Sequence, residues 1–401
     1  MSKKTGYGAL DGLRVVDLSR VLAGPSAAQI LSDHGADVIK VEPPQGDETR
    51  DWGPPFKDEI SSYFAGLNRN KRSIALDLSG AGGHEVLMRL LETADVLLEN
   101  FKIGTMEKWG VGSAALADRF PRLVHGRITG FGKGGPFDSL PGYDAIGQAL
   151  SGLMSINGHP ECGPVRVGVP VVDLSAGMNL VIGILMALFE RERSGKGQFV
   201  EVALYDSGVA LLHPQGANYF MSGKEPGLMG DSHPNIAPYD QFPTKTRNVF
   251  LGAGNNRQFR ILCEHLGRAE MAADPRFASN GLRVQNRDVL NDWIREALTD
   301  WDAEELSRTL LAMGVPCGAV MAVSEVMGHA QTKHRDMVWE ADGFRGVGIP
   351  TKMGRTPGKV RSGPPAFASA GRAILSELGY SEEEVEGLIE AGVTSFERKT
   401  V

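Results

Sequence analysis

Cysteine is scarce in this sequence, and the motifs of several enzyme classes are missing. Only three cysteines occur among 401 residues, namely Cys162, Cys263 and Cys317. No two of them form a CxxC pair. We therefore expect free thiols in a reducing compartment and not a disulfide scaffold. The chain has no GxSxG, no GxxxxGKS or GxxxxGKT and no HExxH, which removes the usual support for a serine hydrolase, an NTPase or a zinc protease. No Cys/His cluster or carboxylate motif has the spacing of metal ligands, so no metal site is expected.

Long apolar runs and an excess of positive charge are also lacking. The longest apolar run, LVIGILMALF at 180–189, is predicted to be too short to span a bilayer, and no apolar segment follows the lysines of the first ten residues. The net charge of -7 argues against a nucleic-acid partner and favours a small soluble ligand. Together these features predict a protein of the cytoplasm, or of an organelle matrix if the source is eukaryotic, without a membrane partner.

Strand and helix patterns alternate along the first 130 residues. In chain order they are LRVVDL (13–18), the helical SAAQILSDHG, ADVIKVE, the helical GHEVLMRLLETAD (83–95), VLLEN (96–100), the helical SAALADRF (113–120) and RLVHGRITG (122–130). Such alternation predicts an α/β fold with a large Rossmann-like parallel sheet, and ligands bind such sheets at the carboxyl ends of the strands.

The length predicts about two domains. A Gly/Pro/Asn-rich stretch begins at 216, and we interpret 216–227 as a linker between a large domain, 1–215, and a smaller α/β domain, 228–325. Near the end, SEEEVEGLIEAG predicts a helix that Ser381 caps.

Two glycine motifs invite a dinucleotide-binding interpretation. GFGKGG at 130–135 follows a strand and fits GxGxxG, but Pro136 interrupts where the phosphate-binding helix should begin. GAGNNR at 252–257 opens a helix, although a tight turn explains it as well. A nicotinamide-dependent dehydrogenase is thus the weaker alternative, and the cofactor's absorbance would reveal it. His233, in the loop DSHPNIAPY, is interpreted as a histidine held by backbone contacts.

Asp173 lies between an apolar run and small residues in PVRVGVPVVDLSAGMN (164–179), ahead of a helix that is apolar almost all round and is predicted to be central and buried. Two interpretations stay open for this carboxylate. It could be the N-cap of the helix. Alternatively, the helix dipole could keep it ionised while apolar neighbours limit its hydration, which suits a nucleophile.

Eight segments, in order, closely resemble the class III CoA-transferase family (the CaiB/BaiF group). They are LDGLRVVDLSRVLAGPSAAQILSDHGADVIKVEPPQGDETRDWGP, NRNKRSIALDLSG, ADVLLENF, PGYDAIGQALSGLMSINGH, VVDLSAGMN, ALFERERSGKGQFVEVAL, HPNIAPYDQFPT and GVPCGAV. The resemblance implies that 326–401 completes the large domain and that two chains interlock as a homodimer.

The resemblance also implies a reaction and the residues that perform it. Asp173 would be the nucleophile, forming an aspartyl anhydride and then an aspartyl-CoA thioester, so that CoA passes from an acyl-CoA to a small carboxylic acid. Coenzyme A would be a substrate, with no tightly bound cofactor. The implied CoA contacts are Leu22 and Ala23 along the pantetheine path, Leu76, Asp77, Leu78 and Ser79 near the adenosine end, then Asn100, Phe101 and Lys102, with Lys108 at a phosphate, Tyr143 beside the thioester, and Asp144.

Two departures narrow the expected substrate, and one residue separates transfer from racemisation. Leu22 replaces the glutamine of the formyl-CoA transferases, which removes a polar group near the acyl carbon and disfavours the formyl/oxalate substrate pair. The segment GDSHPNIAPYDQF stands in place of their glycine-run loop and resembles members that act on dicarboxylates or their hydroxy derivatives. The 2-methylacyl-CoA racemases of the same fold have a histidine where this chain has Tyr143. A phenol is a poor proton acceptor near neutral pH, so transfer is preferred. A CoA-binding protein without catalysis is a further alternative, which turnover of any acyl-CoA would reject.

Overall fold

The computed structural model describes residues 6–138 and 140–399, which form two compact units. Within these residues the first unit comprises 6–151, 168–210 and 330–399, and the second comprises 152–167 and 211–329. This division differs from the predicted one because 152–167 and 211–227 belong to the second unit. A helix, α9 (Gln215–Ser222), occupies much of the predicted linker.

The first unit contains a six-stranded, wholly parallel sheet. Its strands are β1 (Arg14–Asp17), β2 (Asp37–Glu42), β5 (Arg72–Ala75), β6 (Val96–Glu99), β7 (Val124–Thr129) and β10 (Phe199–Ala203), in the spatial order β10-β7-β6-β1-β2-β5. The four central strands are buried along their whole length, which is typical of a parallel sheet covered on both faces. Short antiparallel pairs accompany it: β3 (Phe56–Lys57) with β4 (Ile60–Ser61), and β14 (Val338–Ala341) with β15 (Phe344–Val347).

The helices of the first unit mostly lie between these strands in the chain, and two follow the last strand. They are α1 (Ala23–Asp33), α2 (Ser62–Ala65), α3 (Ala81–Leu91), α4 (Thr105–Lys108), α5 (Ser113–Arg119), α6 (Asp144–Leu150), α7 (Val171–Ser194), α8 (Leu204–Ala210), α16 (Ala330–His334), α17 (Gly371–Glu377) and α18 (Glu382–Glu390). The predicted cap of α18 is confirmed, because the Ser381 side chain accepts the N–H of Glu384 and the Glu384 carboxylate accepts that of Ser381.

Helix α7 is buried along only one face. Val172, Ala176, Leu180 and Ile184 pack inward at helical spacing. The opposite face exposes large apolar side chains: Leu174, Met178, Ile182, Met186 and Phe189. The prediction of an all-round buried helix is therefore wrong. By length and composition α7 is long and apolar enough to cross a bilayer. The prediction considered only the run 180–189 and therefore underestimated the length of the apolar helix. Core helices of globular proteins pass the same test, and 44% of its most apolar window is buried.

The second unit is built around a three-stranded antiparallel sheet. Its strands are β11 (Tyr239–Phe242), β12 (Val249–Gly252) and β13 (Cys317–Ala319), accompanied by the short pair β8 (Gly158–His159) and β9 (Gly163–Pro164). Besides α9, its helices are α10 (Asn256–His265), α11 (Ala269–Ala273), α12 (Asn280–Gln285), α13 (Arg287–Leu298), α14 (Ala303–Ala312) and α15 (Val323–Gly328). The cysteines are free thiols, as predicted, with Cys263 and Cys317 in the core of this unit.

Residues 393–399, the C-terminal tail, pack against the carboxyl end of β5. Thr394 forms an antiparallel bridge with Leu76, and its hydroxyl donates to the carbonyl of Ala75 at 2.7 Å. The Lys399 N–H donates to the carbonyl of Pro44 at 3.0 Å. The C-terminal tail therefore lies at the carboxyl edge of the parallel sheet.

Candidate active site

A cavity of about 330 Å³, the first cavity, opens at the carboxyl ends of the central strands. Three loops form much of its wall: 20–23 after β1, 100–103 after β6 and 129–132 after β7. Tyr143 and Asp173 also line it. The cavity lies at the edge of the sheet where the sequence predicted a ligand.

Asp173, the third residue of α7, presents a carboxyl group to the first cavity. The residue is 8% exposed, and no other residue within 6–138 or 140–399 forms a hydrogen bond or ion pair with this carboxyl group. Burial, and to a smaller extent the negative charge of Asp144, raises the pKa of Asp173 from 3.8 to about 7. The effect of burial on the pKa thus opposes the expectation that the helix dipole keeps the carboxyl group ionised.

Asp144, the first residue of α6, caps the amino end of α7 in place of Asp173. Its Oδ1 accepts the N–H groups of Val172 at 2.8 Å and of Asp173 at 3.2 Å. Its Oδ2 accepts the side-chain amide of Gln148 at 2.6 Å. Helix α7 begins at Val171, two residues before Asp173, so the interpretation of Asp173 as the N-cap is wrong. Asp144 thus positions the first turn of α7 and leaves the Asp173 carboxyl group unengaged.

The amino end of α1 borders the same cavity. Leu22 precedes this helix and Ala23 begins it, and both line the cavity. No side chain caps this end, so the N–H groups of its first turn have no intrahelical acceptor. A Cβ atom added to Gly177, one turn beyond Asp173, would lie 2.7 Å from the carbonyl oxygen of Ala23. Because Gly177 has no side chain, the amino end of α1 can lie beside the first turns of α7.

Asn100 fixes the loop that leads into α1. Its side chain accepts the Arg20 N–H at 2.9 Å and donates to the Arg20 carbonyl at 2.8 Å. The next residue, Val21, has a φ of 70°, which is uncommon for a β-branched residue and persists only where the surroundings enforce it. Asn100 lines the first cavity, as predicted, and it also fixes the backbone there.

A second cavity, of about 520 Å³, continues the cleft away from Asp173. It shares Arg20, Phe101 and Lys102 with the first cavity. Its remaining wall includes the loop 43–45, the segment after β5, Trp109 and Lys399. The two cavities therefore form one elongated cleft along the carboxyl edge of the sheet.

The structure brings most of the predicted residues to this cleft. The first cavity is lined by Leu22, Ala23, Asn100, Phe101, Lys102, Tyr143 and Asp173, and the second by Leu76, Asp77, Leu78, Ser79, Phe101 and Lys102. Asp144 and Lys108 line neither cavity. Lys108 ends α4 on the exposed surface, and Asp144 caps α7.

The sequence analysis missed two cations of the cleft, Arg20 and Lys399. Arg20 follows β1 closely, and a charged residue at the carboxyl end of a parallel strand was a usable signal. Nothing in the sequence around Lys399 indicated its position, because only the packing of the C-terminal tail places it at the second cavity.

The dinucleotide motifs do not form a phosphate site of the expected kind. After β7 the next helix begins only at Asp144, so GFGKGG does not lead directly into a helix. GAGNNR leads into α10, where the Asn255 side chain accepts the N–H of Gln258 as an N-cap. The Nδ1 atom of His233 accepts the N–H of Asn235 at 3.1 Å, which confirms the predicted backbone contact. In the part of the chain that the structure describes, no three His, Cys, Asp or Glu residues are grouped as metal ligands.

Comparison with known proteins decides the family. The model of CoA-transferase family III matches residues 10–369. The chain belongs to this family. It is 39% identical to the succinate–glutarate CoA-transferase of Agrobacterium fabrum, covering 92% of this chain and 95% of that one. It is 38% identical to the acetyl-CoA:oxalate CoA-transferase of Acetobacter aceti, and the match covers 94% of this chain and 97% of that one. The crystal structure of a CaiB/BaiF family protein from Brucella suis matches with 41% sequence identity and a TM-score of 0.83. The match covers 93% of this chain and 100% of that one.

This family III CoA-transferase thus has the mixed α/β fold that its sequence predicted, with a parallel sheet of six strands. Its family uses CoA thioesters as substrates. The resemblance inferred from the eight segments is confirmed across nearly the whole chain.

Proposed function

We propose that this CoA-transferase moves CoA from an acyl-CoA thioester to a small dicarboxylic acid, with Asp173 as the nucleophile. The observation that carries the proposal is the Asp173 carboxyl group, which is buried, without a hydrogen bond in the described chain, and open to the first cavity. Buried polar groups with a structural role are usually hydrogen-bonded, and strongly shifted carboxyl groups in clefts are typical of functional sites. The names of the Agrobacterium and Acetobacter relatives support a dicarboxylate as acceptor.

The reaction would proceed through two covalent forms of Asp173. The carboxylate attacks the thioester carbonyl, the carbon–sulfur bond breaks, and CoA leaves as a thiolate while Asp173 holds the acyl group as an anhydride. The thiolate then attacks the aspartyl carbonyl, which releases the donor acid and leaves an aspartyl-CoA thioester. The acceptor carboxylate then attacks the aspartyl-CoA thioester and displaces CoA as a thiolate, which gives a second anhydride. The thiolate attacks the acceptor's acyl carbon in this anhydride, forms the new acyl-CoA and regenerates Asp173. Covalent catalysis of this kind replaces one difficult exchange by several easier acyl transfers.

The amino end of α1 supplies donors for the oxyanion of each step in this proposal. The N–H groups of Ala23 and Gly24 lie in an uncapped first turn, and Ala23 lines the first cavity together with Asp173. A helix amino end carries a partial positive charge, and fixed N–H donors stabilise developing negative oxygen strongly in a water-poor site. The hydrogen bonds of Asn100 to the preceding loop keep these donors in place.

Tyr143 supports transfer over racemisation. It lines the first cavity with Asp173, at the position where the racemases have a histidine. A second acid/base is required to move the C2 proton, and a phenol serves poorly as a proton acceptor near neutral pH.

A homodimer is also part of the proposal. The exposed face of α7 carries a row of large apolar side chains, and Phe189 is 71% exposed. Contiguous apolar surface of this kind marks interaction sites. The family resemblance supports a second copy of the chain as the partner.

Trapping the acylated enzyme tests the proposal. With an acyl-CoA donor and hydroxylamine, a peptide mass map should show Asp173 converted to a hydroxamate, because hydroxylamine cleaves both the anhydride and the thioester. Asp173→Asn should lose transfer by several orders of magnitude, while Asp118→Asn, an exposed carboxyl on α5, should retain it. Donors are screened against succinate, glutarate and oxalate, with mass detection of the new thioester. Transfer that survives in Asp173→Asn would reject the assignment.

A further inference from the structure

The second cavity has more positive charge than its surroundings can neutralise. Arg20, Lys102 and Lys399 line it, and in the described chain none of their side chains donates a hydrogen bond or joins an ion pair. Neighbouring cations are paired: Lys40 with Asp47 at 2.9 Å, for example. Unpaired cations that converge on one cavity favour a ligand with several negative charges.

Two carboxyl groups line the same cavity, and only one opposes this charge. Glu42 is buried and bound by two hydrogen bonds of 2.7 Å from the Arg50 guanidinium, so its charge is already neutralised. Asp77 remains, held by hydrogen bonds from Ser79 that lower the pKa of its carboxyl group. The three cations therefore leave a net positive charge at the cavity.

The cations also differ in their distance along the cleft from Asp173. Arg20 and Lys102 line both cavities, whereas Lys399 lines only the second. Coenzyme A has its reactive sulfur at one end, a diphosphate further along and a phosphate on the ribose 3′ oxygen at the far end. With the sulfur at Asp173, the order of charges in the cleft matches the order of phosphates in the ligand.

We infer that Lys399 binds the ribose 3′-phosphate of CoA and makes the C-terminal tail a specificity determinant, with Arg20 and Lys102 at the diphosphate. This inference rests on the proposed function for the orientation of the ligand. The backbone N–H of Lys399 donates a hydrogen bond to the Pro44 carbonyl and so fixes the backbone at this residue. The side-chain ammonium group is the part that remains free to bind a phosphate. Lysine is a common partner of phosphate as a point charge.

Dephospho-CoA, which lacks only the 3′-phosphate, provides the test. In Lys399→Gln we expect the KM of an acyl-CoA to rise about tenfold, with kcat retained. The KM of the same acyl-dephospho-CoA should stay within about twofold of the parent's, so the preference for CoA is lost. Lys399→Arg should retain the preference. Lys333→Gln, an exposed lysine on α16 that lines neither cavity, should behave as the parent.

Calorimetric titration with CoA and dephospho-CoA separates this inference from the proposed reaction. A Lys399-dependent preference for CoA in a chain that transfers no CoA would uphold the inference and reject the reaction. If Lys399→Gln weakens both ligands equally, or neither, the assignment of Lys399 is overturned, whatever the transfer activity. Thermal unfolding of Lys399→Gln should match that of the parent, because the tail keeps its backbone hydrogen bonds.

Discussion

The buried carboxyl group of Asp173 should lower the stability of the folded chain at neutral and alkaline pH. Its pKa is about 7 in the folded state against 3.8 for an exposed aspartate. Between these values the folded state binds more protons than the unfolded state, so the free energy of unfolding falls as pH rises through this window and levels off above it. The raised pKa of Asp173 lowers the free energy of unfolding by roughly 4 kcal/mol above pH 7 and by roughly 1.5 kcal/mol near pH 5.

Asp173→Asn should remove this cost, because asparagine has nearly the same shape and does not ionise. We expect the stability gain of the variant over the parent to grow by about 2 to 3 kcal/mol between about pH 5 and about pH 8. Urea unfolding followed by circular dichroism at both pH values measures it. Asp118→Asn, which replaces an exposed carboxyl group, should show no such growth. A gain for Asp173→Asn that is equal at both pH values would refute the reasoning from burial.

Three further predictions concern the cap of α7, the packing of α1 on α7 and the oligomeric state. Asp144→Asn keeps an oxygen for the cap of α7 but removes a negative charge near Asp173, so the acid limb of kcat/KM should move to lower pH. An unmoved limb would contradict the role of Asp144. Gly177→Ala places a Cβ atom 2.4 Å from the Ser26 hydroxyl oxygen and 2.7 Å from the Ala23 carbonyl oxygen, and thermal unfolding should show a loss of roughly 1 to 3 kcal/mol. Unaltered stability would argue against the close packing of α1 on α7. Light scattering should give twice the chain mass of 43.1 kDa, and a monomer at micromolar concentration would reject the dimer.

The elements that the sequence predicted are those whose signals are local. The pattern from β1 to β2 and the cap at Ser381 depend on residues a few positions apart. The strands β5 and β10, at the two edges of the sheet, were not assigned from the sequence. β10 alternates exposed and half-buried residues before Ala203, whereas the central strands are buried along their whole length. Periodicity therefore identified the centre of the sheet better than its edges.

The features that the sequence could not predict depend on distant contacts. Asp144 caps a helix that begins 27 residues later, through bonds to Val172 and Asp173, and no local pattern distinguishes that cap from a cap by Asp173 itself. The contact of Thr394 with Ala75 spans 319 residues, so no local motif could place Lys399 near the sheet. A one-sided burial of α7 was equally hidden, because its exposed face is as apolar as its buried face.

The position of the C-terminal tail has a practical consequence for how the protein is produced. A truncated chain that ends between residues 204 and 392 would contain every strand of the large sheet and still lack the part of the second cavity's wall that Lys399 supplies. A purification tag fused after residue 401 would begin three positions beyond Lys399. Tags at the amino terminus are therefore the better choice for measurements of CoA affinity.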